Sequence, residues 1–257
     1  MTAPFRKRRP GGDADFFRAE AAGLRWLAAG GGPVVEVLAV GDDVIELAHL
    51  DSVRPSTAAA REFGTRLARM HDAGAPRFGS APDGYHGRQF IGERSLSSTT
   101  HDRWGEFYAA ERVLPYLAPA LRAGYLEPDD AEATRAACTV ISAGTFDDGD
   151  GPARLHGDLW NGNVLWTSDG VVLIDPAAHG GHRETDLAML ALFGCPMLDE
   201  IVEAYHAEHP LRVGRAERVP LHQLHPLAVH AAGHGPSYGA ALGRAARATL
   251  AVAGQTP

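Results

Sequence analysis

The chain has 257 residues, 45% of them hydrophobic and 22% charged, a balance that excludes the disordered and fibrous classes and suits one packed domain or two lobes. Its formal net charge of −8 at pH 7 argues against a nucleic-acid partner, which needs a basic footprint, and no apolar run approaches the ~20 residues of a membrane helix. Cys138 and Cys195 are the only cysteines, so a disulfide framework is not expected and a reducing cytoplasm is.

Near the start, Phe5-Arg6-Lys7 reads as the end of a strand. The basic cluster Arg6 to Arg9 has no apolar core behind it and is not a signal peptide. Residues 13–29 read as a helix capped by Asp13, with Phe17, Leu24 and Leu27 near helical spacing, and Gly30-Gly31-Gly32 as its stop and linker. Two β-branched runs, 34–40 and 44–47, flank the turn signal Gly41-Asp42-Asp43. Ser56 caps an amphipathic helix to Asp72 that carries Phe63, Leu67 and Met70 on one face. Residues 75–100 are rich in Gly, Pro and Ser and read as a long loop that shapes a substrate pocket. Helices follow over 103–122, interrupted at Pro115, and over 128–144. Beyond the central segment, helices are expected over 184–193 and 196–209. The alanine-rich end, 219–253, is helical and broken near Gly233 to Pro236.

The central segment carries the chemistry. His156-Gly157-Asp158 is followed by Asn163, five positions after the Asp, and then by the apolar runs 164–167 and 171–174 around Ser168-Asp169-Gly170, ending on Asp175. The runs read as a β-hairpin that brings Asn163 and Asp175 together. Phosphoryl transfer needs a carboxylate to receive the acceptor proton and oxygen ligands to hold Mg²⁺ against phosphates. Asp158 suits the first task. Asn163 and Asp175 suit the second, because Mg²⁺ takes only one or two carboxylates beside phosphates and water. Each residue alone is equally a turn former; the ordered set is what points to a kinase. The histidines His222, His225, His230 and His234 lack a Cys or carboxylate to complete four ligands, and Pro226 and Gly233 interrupt their helix, so they are read as packing residues and not as a zinc site.

These residues carry a family resemblance. Leu155-His156-Gly157-Asp158-Leu159-Trp160-Asn161-Gly162-Asn163, Ile174-Asp175-Pro176-Ala177 and the run from Gly180 through His182-Arg183-Glu184-Thr185-Asp186 to Gly194 closely resemble the fructosamine kinase (ketosamine-3-kinase) family. That family is a branch of the aminoglycoside and choline kinase-like fold. The resemblance extends to Trp104-Gly105-Glu106-Phe107-Tyr108 and to 221–227, so it covers most of the chain. Departures occur at Arg215 and His234, where the family commonly has Trp and Phe.

The resemblance implies roles. In kinase-like folds a strand lysine reaches the nucleotide phosphates and is held by a glutamate on the next helix; Lys7 and Glu20 match that order, the alternative being a solvated lysine and a surface acid. Residues 44–50, with Glu46, Leu47 and Ala48, would be the hinge that meets adenine. Trp160 would face the acceptor sugar. His182 and Glu184 would line the acceptor pocket or pin the loop, while His156 and Asp186 would brace it. Only six residues precede Lys7, where the family has two strands and a phosphate-covering loop. Either the start lies upstream of Met1, or the lobe is truncated and ATP binding is weak.

The expectation is therefore an α/β (α+β) two-lobed protein-kinase-like fold. A truncated β-rich lobe over 1–50 would serve the nucleotide, and a larger helical lobe over 51–257 would carry the catalytic and acceptor site. ATP and Mg²⁺ are the implied cofactors, and the implied acceptor is a ketosamine hydroxyl on a free amine or a glycated protein lysine. The alternatives are a kinase of another small alcohol, such as an aminoglycoside or a choline-like cation, and a catalytically weak binding protein. The oligomeric state is not legible.

Overall fold

Strand β3 (Val44–Leu47) lies at the centre of a three-stranded antiparallel sheet, flanked by β1 (Phe5–Arg8) and β2 (Val37–Val40). In this computed structural model, which describes residues 3–254, Lys7 pairs in register with Ile45 and so shares the inward face. Helix α1 (Asp15–Ala29) connects β1 to β2. The helix starts two residues later than read and Ala14, not Asp13, takes the cap position, with no side-chain cap bond; Asp13 lies just ahead, its carboxylate accepting the Asp15 N–H at 3.0 Å and its carbonyl the Phe16 N–H at 3.0 Å. The helix lays Phe17, Ala21 and Leu24 against Ile45, Leu47 and Val35. It stops at the glycine run, where the Gly32 N–H closes onto the Leu27 carbonyl at 2.9 Å.

The strand expected over 34–40 is shorter than its apolar pattern. Val35 donates instead to the Leu173 carbonyl at 3.0 Å, and Val34 forms a parallel bridge with Leu173. A second pairing partner, distant in sequence, takes the first half of the run.

That partner belongs to the central hairpin, β7 (Val164–Thr167) and β8 (Gly170–Leu173), with Val164 opposite Leu173 and the second strand one residue earlier than the run read over 171–174. Ahead of it β6 (Ala153–Leu155) pairs antiparallel with β9 (His179–Gly181). Helix α2 (Thr57–Asp72) is capped by Ser56, whose Oγ accepts the Ala59 N–H at 3.3 Å. Its apolar face, with Phe63, Leu67 and Met70, joins the core formed with α6 (Arg183–Leu192) and α7 (Leu198–Glu208). The two helices α2 and α7 approach closely at Gly64, where any Cβ would meet the Ile201 carbonyl.

The long loop expected over 75–100 is not structureless. It contains the hairpin β4 (Gln89–Ile91) and β5 (Arg94–Leu96), with Gly92 at φ 52° in the turn. Arg88 ties this hairpin to the start of α1, its N–H donating to the Asp15 carboxylate at 2.9 Å and its guanidinium pairing with Asp13.

All of these elements belong to one compact unit, Met1–Pro76, Ser80–Ser98 and Pro152–Leu211. The second unit is Arg77–Gly79, Thr99–Gly151 and Arg212–Pro257. It holds α3 (Trp104–Phe107), α4 (Leu114–Arg122), α5 (Pro128–Ser142), α8 (Arg215–His222), α9 (Leu224–Ala231) and α10 (Pro236–Ala253). The interruption expected at Pro115 takes the form of a π-helical segment, Tyr108–Val113, between α3 and α4. Proline has no N–H for the preceding turn, and a wider turn accommodates the loss. Tyr108 is buried here, stacked on Trp104 with centroids 4.9 Å apart, and its hydroxyl accepts the His225 N–H at 3.0 Å. The C-terminal histidines serve packing: His225 Nδ1 lies 2.7 Å from the Arg112 carbonyl, and His230 Nδ1 lies 2.7 Å from that of Pro226. Among the described residues no helix is long and apolar enough to cross a membrane. Small sheets and many helices make up the mixed α/β (α+β) class that the sequence implied.

Candidate active site

The site grows from the end of β6. Arg154 anchors that strand, donating to the Trp26 carbonyl at 2.6 Å and the Gly74 carbonyl at 3.2 Å, with its guanidinium 4.3 Å from the Trp26 ring centroid. The chain then turns at Gly157, whose φ of 80° suits glycine and where a side chain would clash with the Ala177 carbonyl. This turn aims two successive N–H groups, those of His156 and Gly157, at the buried Asp186 carboxylate, at 2.7 and 3.0 Å.

His156 is fully buried. Its Nε2 donates to the Ile174 carbonyl at 2.9 Å, so its Nδ1 accepts the Asp158 N–H at 3.3 Å. Burial holds the imidazole below its ordinary pKa, against the pull of Asp186, the Ile174 carbonyl and Asp175. A neutral ring is the form these bonds require. His156 and Asp186 thus brace the loop, and Asp158 projects from it. Burial pushes the Asp158 carboxyl up to about 6; the Asn163 hydrogen bond pulls it down, and the negative charges of Asp175 and Asp186 push it further up.

Asn163 closes a short 3₁₀ turn, Asn161–Asn163, at the mouth of the central hairpin. Its Nδ2 donates to the Asp158 carbonyl at 2.8 Å and to the Asp158 carboxylate at 3.2 Å, and lies 3.5 Å from the Asp175 carbonyl. These acceptors assign the amide nitrogen, and its oxygen is the group left to meet a ligand. The Ile174 N–H donates to the Asn163 carbonyl at 3.1 Å, which sets Asn163 beside Asp175 as the hairpin reading required. Asp175 has a left-handed φ of 53°, and its side chain is 45% exposed. Asp is among the residues that tolerate this conformation. Lys7 Nζ lies 2.7 Å from the Glu20 carboxylate and pairs also with Asp175. Burial lowers the Lys7 pKa, but the two carboxylates outweigh it and hold the ammonium above its usual value.

Lys7, Glu20, Asp158, Trp160, Asn163 and Asp175 all line one cavity of about 360 Å³. The indole of Trp160 is 40% exposed there and meets Phe193 edge-on at 5.9 Å. The hinge residues do not join them. Glu46 pairs with Arg6 at 2.7 Å, Leu47 is buried in the core, and the Ala48 N–H is taken by the Glu36 carbonyl at 2.9 Å. Nor do His182 and Glu184 line the cavity. Both are buried, and His182 caps α6 by accepting the Glu184 N–H at 3.2 Å.

The cavity also has walls that the sequence reading did not name: Phe16 and Ala19 of α1, and Gln89, Phe90 and Gly92 of the β4–β5 hairpin, which lies in the segment expected to shape a pocket but read there as loop. Phe16 and Phe90 meet at 5.3 Å, and Gln89 donates to the Ala178 carbonyl at 2.9 Å. A signal was present, since Gln89-Phe90-Ile91 and Arg94-Ser95-Leu96 flank Gly92-Glu93, a two-residue turn between short strand-like runs.

Known proteins resemble this chain over most of its length. The fructosamine kinase family model matches residues 4–251. The chain is similar to a probable ketoamine kinase of Enterococcus faecium, at 31% identity over 240 residues that make up 92% of this chain and 84% of that protein. It is also similar to the crystal structure of a Thermobifida fusca protein assigned as a fructosamine-3-kinase, with a TM-score of 0.89, 46% identity, and coverage of 96% of this chain and 85% of that one. A thermostable mutant of the aminoglycoside phosphotransferase APH(4)-Ia, at 16% identity and a TM-score of 0.60 over 93% of this chain and 84% of its own, shares the fold.

Proposed function

The chain belongs to the fructosamine kinase family, and we propose that it transfers the γ-phosphoryl group of ATP to the 3-hydroxyl of a ketosamine, the adduct formed when glucose or ribose condenses with an amine. It is a phosphotransferase with an alcohol acceptor. The observation that carries the reading is Asp158, a partly buried carboxylate held by Asn163 in one cavity with Lys7, Glu20 and Asp175.

The acceptor hydroxyl gives its proton to the Asp158 carboxylate as its oxygen bonds to the γ-phosphorus. The bond from that phosphorus to the bridging oxygen breaks, and ADP leaves. Lys7, kept protonated by its carboxylate neighbours, offsets phosphate charge. Glu20 holds Lys7 from α1. The donor set fits Mg²⁺, because the Asn163 amide nitrogen is committed to Asp158 and its oxygen, with the Asp175 carboxylate, gives one neutral and one acidic ligand. When bound there, the ion would neutralise charge on the phosphates.

In this reading residues 1–50 form the nucleotide side and 51–257 the catalytic and acceptor side. Trp160 offers a flat face to the acceptor, while the buried His182 and Glu184 support the start of α6. Phosphorylation makes the adduct prone to break down, so the role would be repair of glycated amines, protein lysines included, in the cytoplasm. ATP consumption against fructosamine, ribulosamine, aminoglycosides and choline tests it. Turnover with the two ketosamines is expected. Turnover confined to an aminoglycoside or to choline would assign another alcohol, and none with any acceptor would leave a binding protein.

A further inference from the structure

Asp186 accepts a third hydrogen bond, and this one comes from outside the catalytic loop. His71, on α2 and fully buried, places Nε2 3.1 Å from Asp186 Oδ2. Its other nitrogen, Nδ1, lies 2.8 Å from the Tyr205 hydroxyl on α7. Arg183, at the start of α6, reaches the same hydroxyl with Nη1 at 3.1 Å and the Asp72 carboxylate at 2.9 Å.

The chemistry of these groups allows one direction for the hydrogens. A guanidinium only donates, so the Tyr205 oxygen accepts from Arg183. The phenol stays protonated, because burial pushes its pKa up, and its hydrogen goes to His71 Nδ1. The single proton of a neutral His71 then sits on Nε2 and is donated to Asp186. The other tautomer would set a lone pair against the carboxylate and leave Nδ1–H facing the phenol hydrogen. Burial favours the neutral ring, although the Asp186 hydrogen bond and charge pull the other way.

We propose that Arg183, Tyr205 and His71 form a one-way donor chain that locks the His71 tautomer, and that His71 and Tyr205 are thereby positioning residues for the loop that presents Asp158. Two of the three bonds to Asp186 shape the loop, and the third holds the carboxylate from behind. Without it the loop loses the fixed geometry that proton transfer from the acceptor needs. The catalytic part of this inference rests on Asp158 being the base; the tautomer part does not.

The test uses the full-length protein and three variants. The amide of His71→Gln can still donate toward Asp186, whereas His71→Leu cannot, and Tyr205→Phe removes the hydrogen that fixes Nδ1. With ATP and the best ketosamine, kcat should fall at least ~10-fold in His71→Leu with KM for ATP unchanged, and His71→Gln should stay within ~3-fold of wild type. Equal kcat in the Gln and Leu variants overturns the donor role. Nitrogen-15 NMR of the His71 ring should report Nε2–H alone in wild type, with an Nδ1 signal that shifts in Tyr205→Phe as its lone pair loses the phenol hydrogen. Nδ1–H in wild type, or an Nδ1 signal that Tyr205→Phe leaves unmoved, overturns the donor chain. The NMR arm is independent of turnover, so failure of the ketosamine reading alone would leave it standing.

Discussion

Asn163 holds Asp158 twice, with one amide nitrogen 2.8 Å from its carbonyl and 3.2 Å from its carboxylate. The residue that would bind metal on one side therefore orients the base on the other. Asp158→Asn keeps the shape of this contact but cannot take the acceptor proton. A positioned general base contributes about 10²–10⁴-fold, so kcat should fall by at least that lower figure while calorimetry shows ATP still binding. A variant retaining more than about a tenth of wild-type kcat would remove Asp158 from the role of base.

The pH profile follows from the same residue. The base must be ionised, and burial raises the Asp158 carboxyl to about 6. In the unliganded enzyme kcat/KM should be level above that pH and fall roughly tenfold per unit below it. Stability moves the other way. A carboxyl raised on folding stabilises fully below the ordinary carboxylate range, and that stability is lost as pH rises through about 6. Asp158→Asn, which never ionises, should therefore gain in thermal midpoint over wild type at pH 8 and not at pH 4.

Asp175 is the acidic member of the proposed metal pair, and its carboxylate meets Lys7. Asp175→Ala should abolish the Mg²⁺-dependent part of nucleotide binding, and Asn163→Ala should weaken it. Calorimetry with and without Mg²⁺ separates the two contributions. Unchanged Mg-ATP affinity in Asp175→Ala would sink the assignment.

Glu20 is the only glutamate in contact with Lys7 among the described residues, and its side chain is 10% exposed. Glu20→Gln leaves the ammonium drawn to Asp175 alone and moves it off the phosphate position. KM for ATP should rise about three- to tenfold, with less effect on KM for the acceptor. Equal changes in the two constants would show that Glu20 serves folding and not the nucleotide.

A change far from the chemistry tests the packing. Gly64→Ala places a methyl against the Ile201 carbonyl where α2 and α7 meet. Overpacking of this kind costs about 1–3 kcal/mol, read as a drop in Tm, with kcat per folded molecule little changed. A variant as stable as wild type would mean that the helices part without strain.

What the amino-acid order determined by itself was local. The spacing of Asp158, Asn163 and Asp175 around a hairpin forces those groups together, because a two-stranded turn returns the chain to where it left. Ser56 was legible as a cap for the same reason, acting on an N–H three residues away. Tertiary structure decided whatever depends on partners distant in sequence. Val34 and Val35 looked like strand and were drawn to Leu173 instead. The 75–100 segment was legible as a part of the pocket but not as a hairpin, because its strands are only three residues long. His71 on α2 lies more than a hundred residues from Asp186 on α6 and Tyr205 on α7, and no period or motif relates them. Only the packing of those helices brings one imidazole between a carboxylate and a phenol, and that contact gives each of its nitrogens a single role.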